Sequence, residues 1–311
     1  MSTLDPQCRS LLDALSQAFH VVDWRNAAPS EIRAMLGGQS MFAPGDDIAS
    51  ISDISIDGPG GPLRLRVYRP LGDTTDLLPV TLYLHGGGFV TGAPEGHDNV
   101  CRCLAARARS MLVSVDYRLA PEAPFPAGTE DAFAALHWLS TNAVTIGGDS
   151  SRIAVAGDSA GATLACATAA AAHDAGIALR HQLLLYPVTS ARCDWPSYTR
   201  LADGYLLSAE MMRWFWRQYV VRPADAADPR ASPLNRSDFS ELPAATIIIP
   251  GFDLTCDESR AYAQRLLDAG VQVTLHEWPR QIHGFASMLG AIDAADPALH
   301  QAADALRRGF S

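Results

Sequence analysis

The sequence predicts an α/β fold, a parallel sheet with helices on both faces. Short continuous apolar runs recur along the chain: "PVTLYLH" (Pro79–His85), "SMLVSVDY", "SRIAVAG", "RHQLLLYP", "AATIIIPG" and "VQVTLHEW". Helix-length stretches lie between them, among them "GTEDAFAALHWLST", "SAGATLACATAAAAHDAG" and "DESRAYAQRLLDAG". Glycine clusters close the first and third of these runs. An unbroken apolar run of strand length suits a strand buried on both faces, and its alternation with helices implies parallel crossovers.

In chain order, Leu11, Leu12, Leu15, Ala18 and Phe19 fall at helical spacing and predict an amphipathic first helix. "ISDISID" and "PLRLRVYRP" each alternate apolar and polar residues and flank the turn signal "GPGGP", so they predict an antiparallel hairpin. The buried runs and helices follow. Their rhythm breaks once, from about Ser190 to Pro233, where "DWPSYTRLADGYLLSAEMMRWFWRQYV" is rich in aromatics at helical spacing and holds no buried strand. An insertion of that length is a functional lid or a surface excursion. Trp214, Phe215 and Trp216 are either its buried face or a wall turned to substrate. A last helix is expected over Pro297–Arg308.

A chain of 311 residues can bury a large core as one domain, or one domain with an inserted cap, without disulfides or metals. Hydrophobic residues make up 48% and charged residues 19%, as in soluble globular proteins. A net charge of −10 and an isoelectric point near 5.3 speak against nucleic acid and anionic membranes as partners. The six cysteines, Cys8, Cys101, Cys103, Cys166, Cys193 and Cys256, show no C-x-x-C or zinc spacing and read as reduced, mostly buried thiols. The first residues carry Asp5 and Asp13 and no apolar core of signal-peptide length, and no run reaches membrane-spanning length. A cytoplasmic location and no integral membrane contact are therefore expected.

"AVAGDSAGATL" (Ala154–Leu164) sets Ser159 between a strand and a helix, with Gly157 and Gly161 two positions to either side. A nucleophile elbow needs that context: glycines avoid clashes around a strained serine, and the helix N-terminus beneath it favours negative charge. "YLHGGGF" (Tyr83–Phe89) ends another buried strand in glycines. Backbone N–H groups fixed there suit the oxyanion of acyl transfer. Gly87 and Gly88 are assigned as donors together with the N–H of Ala160; Gly86 is an alternative to one of them, and His85 is read as ordering the loop. Neither phosphate-loop pattern is present, so phosphate binding is disfavoured.

"HGGGF", "DYRLAPEAPFPA", "GDSAG" and "IHGF", in this order, resemble the hormone-sensitive-lipase-like α/β-hydrolases, specifically the bacterial family IV esterases with a GDSAG elbow. The resemblance runs from about Leu63 to Arg308. It implies an α/β-hydrolase fold: an eight-stranded, mostly parallel sheet with flanking helices and a helical cap made of the N-terminus and an insertion after the sixth strand. Residues 1–45 are then N-terminal cap helices, and 46–311 the catalytic domain with its cap insertion at about 190–233. It also implies hydrolysis of small-molecule carboxylic esters of short to medium acyl chains without a cofactor or metal. Members are often homodimers.

A serine nucleophile needs a base, and the base an orienting carboxylate, in the chain order Ser, Asp or Glu, His. His276, His283 and His300 lie late enough. His276 sits inside an alternating strand and His300 in the last helix, whereas His283 sits in "PRQIHGF", read as a loop after a strand, where Gly284 and Phe285 match the family's pattern. Asp253 directly follows "AATIIIPG" and is the candidate acid; Asp257 and Glu258 suit a helix start in any case. The family's D-P-L-x-D-E is here Asp253-Leu254-Thr255-Cys256-Asp257-Glu258, without the proline. Arg118 and Glu122 are read as a structural Arg–carboxylate network, and the role of Asp158 is left open.

The expected enzyme is a serine carboxylesterase with Ser159, His283 and Asp253 as catalytic residues. The same site suits amides, carbamates or aryl formamides. A non-catalytic ligand-binding receptor also exists on this scaffold: the plant gibberellin receptors resemble the family but lack the catalytic histidine, which is present here.

Overall fold

The computed structural model describes residues 3–19, 22–36, 41–72 and 76–311. Two helices, α1 (Pro6–Phe19) and α2 (Pro29–Leu36), precede the sheet. The apolar stripe expected for the first helix is met by Leu11, Leu12 and Leu15, all at least partly buried; the side chains of Ala18 and Phe19 lie outside the described residues. β1 (Ser50–Gly58) and β2 (Gly61–Arg69) form the hairpin that the alternation predicts, with Gly58 opposite Gly61.

The rest alternates: β3 (Leu78–Leu84), α3 (Asp98–Ala108), β4 (Met111–Val115), α4 (Ala127–Asn142), β5 (Gly148–Asp158), α5 (Ala160–Asp174) and β6 (His181–Leu185). After two cap-side helices, α6 (Pro196–Arg200) and α7 (Ala209–Tyr219), come β7 (Ala245–Phe252), α8 (Cys256–Asp268), β8 (Val273–Ile282) and α9 (Ala295–Phe310). The eight strands form one sheet in the order β1-β2-β4-β3-β5-β6-β7-β8. Only β2 runs against the others, pairing antiparallel with both β1 and β4.

Every residue of β4 and β6 is buried, as the unbroken apolar runs require. Successive residues point to opposite faces. Leu82, Leu84, Ile153 and Val155 pack with Leu136, Leu139 and Leu164 of α4 and α5. Tyr83, Ala154 and Ala156 pack on the other face with Leu104, Leu299 and Leu306 of α3 and α9. Each fully buried Leu or Val contributes about 1.5–3 kcal/mol through removal from water.

Two elements differ from the sequence reading. α3 is present where no helix was assigned, and β8 continues through Pro279–Ile282 instead of ending at Trp278. His283 therefore leaves a strand directly, with no intervening loop.

The 190–233 stretch contains α6, α7 and short 3-10 turns, and no strand. α7 starts where Ser208 caps it, its side chain accepting from the Met211 N–H at 3.1 Å. Trp214, Phe215 and Trp216 are all buried. Trp214 meets Trp24 edge-on at 5.7 Å and donates from Nε1 to the Ala27 carbonyl at 3.0 Å. Tyr219 stacks on Phe89 at 3.9 Å. The insertion thus packs against the N-terminal stretch and against the segment that follows β3.

Candidate active site

Register brings the motifs together. Leu84, last in β3, pairs with Gly157 of β5, so the glycine loop and the serine turn emerge side by side. This is where chain order along the sheet reverses, the crevice in which open α/β sheets bind ligands. Farther along the same edge Phe252 pairs with Ile282, so the next residues, Asp253 and His283, are neighbours as well.

Ser159 has φ 53° and ψ −123°, a conformation that side-chain-bearing residues rarely adopt. Its N–H donates to the Leu185 carbonyl at 2.9 Å. The two flanking glycines are required by contact: a Cβ on Gly157 would run into the Gly161 carbonyl, and one on Gly161 into the carbonyls of Leu84 and His85. α5 begins at Ala160, whose N–H is among the first of the helix and has no partner within it.

His283 Nε2 lies 2.8 Å from Ser159 Oγ, and His283 Nδ1 lies 2.7 Å from Asp253 Oδ2. A carboxylate only accepts, so Nδ1 carries the proton and Nε2 is free to accept from the serine hydroxyl. Asp253 is buried, and its Oδ1 accepts from the Thr255 N–H at 2.9 Å. The Tyr186 ring lies 4.9 Å from the imidazole. The competing residues are elsewhere. His276 lies within β8, and His300, on α9, faces Asp296 at 3.6 Å. Asp257 accepts from the Ser197 N–H and from Arg260.

In the glycine loop, Gly87 and Gly88 have φ of 121° and 61°. The Gly87 carbonyl accepts from the N–H groups of Val90 and Thr91, which winds the loop into a turn. The Phe215 ring occupies the space that a Cβ on Gly88 would need. Gly86, the alternative oxyanion donor, is excluded: its N–H donates to Asp158 Oδ1 at 2.8 Å. His85 is buried, stacks on Tyr117 at 4.3 Å and has Nδ1 2.8 Å from the Gly86 carbonyl. Burial, then nearby His97, push its pKa down to about 3, so it is neutral.

Arg118 and Glu122 do not share one network. Arg118 holds buried Asp131, whereas Glu122 accepts from Arg33 of α2 at 2.8 and 2.6 Å. Arg33 also donates to the carbonyls of Val90 and Ala120, tying α2 to the glycine loop. Residue spacing gives no sign of this contact. All six cysteines are free and buried. Among the described residues no group of three His, Cys, Asp or Glu is placed to hold a metal ion, and no helix is long and apolar enough to cross a membrane.

Glu258 is fully buried; one of its oxygens accepts from the Thr189 N–H at 3.2 Å and the other has no hydrogen-bond partner. Burial, with a smaller push from Asp253, raises its pKa well above 4.5. The folded protein therefore keeps a proton that the unfolded chain releases above about pH 4.5. Stability is lost as pH rises from there toward the folded-state pKa. Glu258→Gln, neutral at every pH, removes that loss. Melting curves should show the Gln variant gaining on the native protein between pH 4.5 and 7; a constant difference would mean that Glu258 is ionised in the fold.

A family profile described as an alpha/beta hydrolase fold matches residues 81–287. The chain is 40% identical over 282 residues to an ethyl acetate hydrolase of Pseudomonas putida, covering 89% of this chain and 87% of that one. It is 37% identical over 309 residues to Esterase LipI of Mycobacterium tuberculosis, covering 98% and 94%. Among solved structures, an ester hydrolase from the metagenome of Lake Arreo superposes with a TM-score of 0.93 at 39% identity, covering 99% of each chain. A thermostable esterase of Pseudomonas putida superposes with a TM-score of 0.93 at 33% identity, covering 100% of this chain and 99% of that one. Fold and relatives define an enzyme of the carboxylic ester hydrolase class. The chain belongs to the hormone-sensitive-lipase-like esterases of the α/β-hydrolase fold.

Proposed function

We propose that Ser159 is the nucleophile, His283 the base and Asp253 the orienting acid of a carboxylesterase for small esters with short to medium acyl chains. The observation that carries this is the hydrogen-bonded row Ser159–His283–Asp253 at the sheet's carboxyl edge, beside the glycine loop. Ser159 Oγ attacks the ester carbonyl as its proton passes to His283 Nε2, and Asp253 stabilises the imidazolium. The N–H groups of Gly87, Gly88 and Ala160 hold the oxyanion. The alcohol leaves with the proton from His283, and an acyl-serine remains. Water, deprotonated by His283, attacks the acyl carbon; the acid departs and Ser159 recovers its proton.

The Phe215 ring against Gly88, with Trp24 behind it at 6.3 Å, puts aromatic bulk close to the loop and favours small acyl groups. We read the N-terminal helices and the 190–233 insertion as a cap over the site. Free, buried thiols support a reducing, cytoplasmic setting, and the family resemblance supports a homodimer.

Initial rates on p-nitrophenyl esters from acetate to palmitate test this reading. Acetate to hexanoate should turn over at least ~10-fold faster than palmitate. Fastest turnover on palmitate would overturn the chain-length assignment, and turnover of matched amides alone would overturn the esterase.

A further inference from the structure

The residue before the serine has no part in the steps above, yet it is buried in an unusual way. Asp158 ends β5, and its side chain reaches the root of the glycine loop. Oδ1 accepts from the Tyr83 hydroxyl at 2.7 Å and from the Gly86 N–H at 2.8 Å. Oδ2 faces His97 Nε2 at 3.5 Å, and His97 Nδ1 lies 3.4 Å from the Ala93 carbonyl. Both ring nitrogens of His97 thus face acceptors, which a doubly protonated imidazole satisfies and a neutral one does not. A Cβ on Gly86 would collide with Asp158, so loop and carboxyl are fitted to each other.

We propose that Asp158 is a positioning residue: it anchors the Gly86 amide to the serine turn and so aims the next two N–H groups, those of Gly87 and Gly88, at the oxyanion. This rests on the reading of Ser159 as nucleophile. Within the loop, Gly86 bonds through its N–H to the end of β5. Its N–H fixes the rotation of the His85–Gly86 peptide, and the two donors follow within two residues. Oxyanion donors work through being fixed in advance, so a tilt of this loop acts on the transition state and little on substrate binding. The carboxylate can stay charged there. Burial alone would raise its pKa, but His97, Tyr83 and Gly86 together hold it below the usual range; likewise Asp158 raises His97 against the effect of burial.

The test compares kcat and KM on p-nitrophenyl acetate for the full chain and its Asp158→Ala, Asp158→Asn, Tyr83→Phe and Ser159→Ala variants, with melting temperatures alongside. Asp158→Ala should lose about 10- to 100-fold in kcat with KM within ~3-fold. Asp158→Asn, whose amide oxygen still accepts from Gly86, should recover most of that. Tyr83→Phe removes the other donor but not the Gly86 bond, so it should lower the melting temperature with kcat within ~3-fold. If Asp158→Ala does not fold, Asp158→Ser, too short to reach Gly86, takes its place with the same expectation. Equal kcat losses in Asp158→Ala and Tyr83→Phe would reduce Asp158 to a stabilising residue, and an unchanged kcat in Asp158→Ala would end the proposal. Near-native turnover in Ser159→Ala would instead refute the serine mechanism, a separate failure.

Discussion

Ser159→Ala should lower kcat by about 10⁴- to 10⁶-fold while leaving the fold intact. The turn does not depend on the hydroxyl. The Ser159 N–H bonds Leu185, and its carbonyl accepts from Ala162 and Thr163, so alanine keeps every backbone contact. It also pays the same conformational cost at φ 53°. In the proposed mechanism it removes the atom that forms the acyl bond, and a small residue of catalysis from the oxyanion donors and substrate binding should remain. Steady-state rates with a freshly purified variant, checked by melting temperature, decide it. Turnover within ~10-fold of the native protein would mean that another group attacks the ester.

Asp253→Asn should cost about 10⁴-fold in kcat, and the hydrogen bonds around it say why. The Thr255 N–H needs an acceptor, so an asparagine would turn its carbonyl oxygen there. Its NH₂ then faces His283 Nδ1, which must accept. The ring proton moves to Nε2, pointing at Ser159 Oγ, and the base is blocked. Geometry and stability survive, and only the tautomer is wrong. A loss of less than ~10-fold would show that Asp253 does not orient His283.

Much of this site was legible in the chain because strand ends announce themselves. "IAVAGDSAG" and "TLYLHGGG" switch from apolar run to glycine where β5 and β3 stop. The order of Ser159, Asp253 and His283 then leaves few choices. What the chain does not reveal is register. That Leu84 meets Gly157 and Phe252 meets Ile282 depends on pairing between distant segments. The partners of Asp158 are hidden for the same reason, since Tyr83 and Gly86 lie 75 and 72 residues away. α3 is faint in the chain although Val100, Cys101, Leu104, Ala105 and Ala108 hold helical spacing, because cysteine and alanine give a weak apolar signal. Glu258 looked like an ordinary acid at a helix start, and only packing reveals that it is sealed from water.

The 190–233 stretch lies between β6 and β7, and its two ends meet: the Leu234 N–H donates to the Thr189 carbonyl at 3.1 Å and the Ala191 N–H to the Ser232 hydroxyl at 3.0 Å. Its ends are therefore stitched together whatever lies between. Lengthening, shortening or rewriting it changes a loop-closure term that grows only slowly with length, while Ser159, Asp253 and His283 keep their strand-given places. If this stretch is the cap proposed above, selection can retailor which esters are admitted without renegotiating how they are cleaved, and laboratory evolution of substrate range is best aimed at this one excursion.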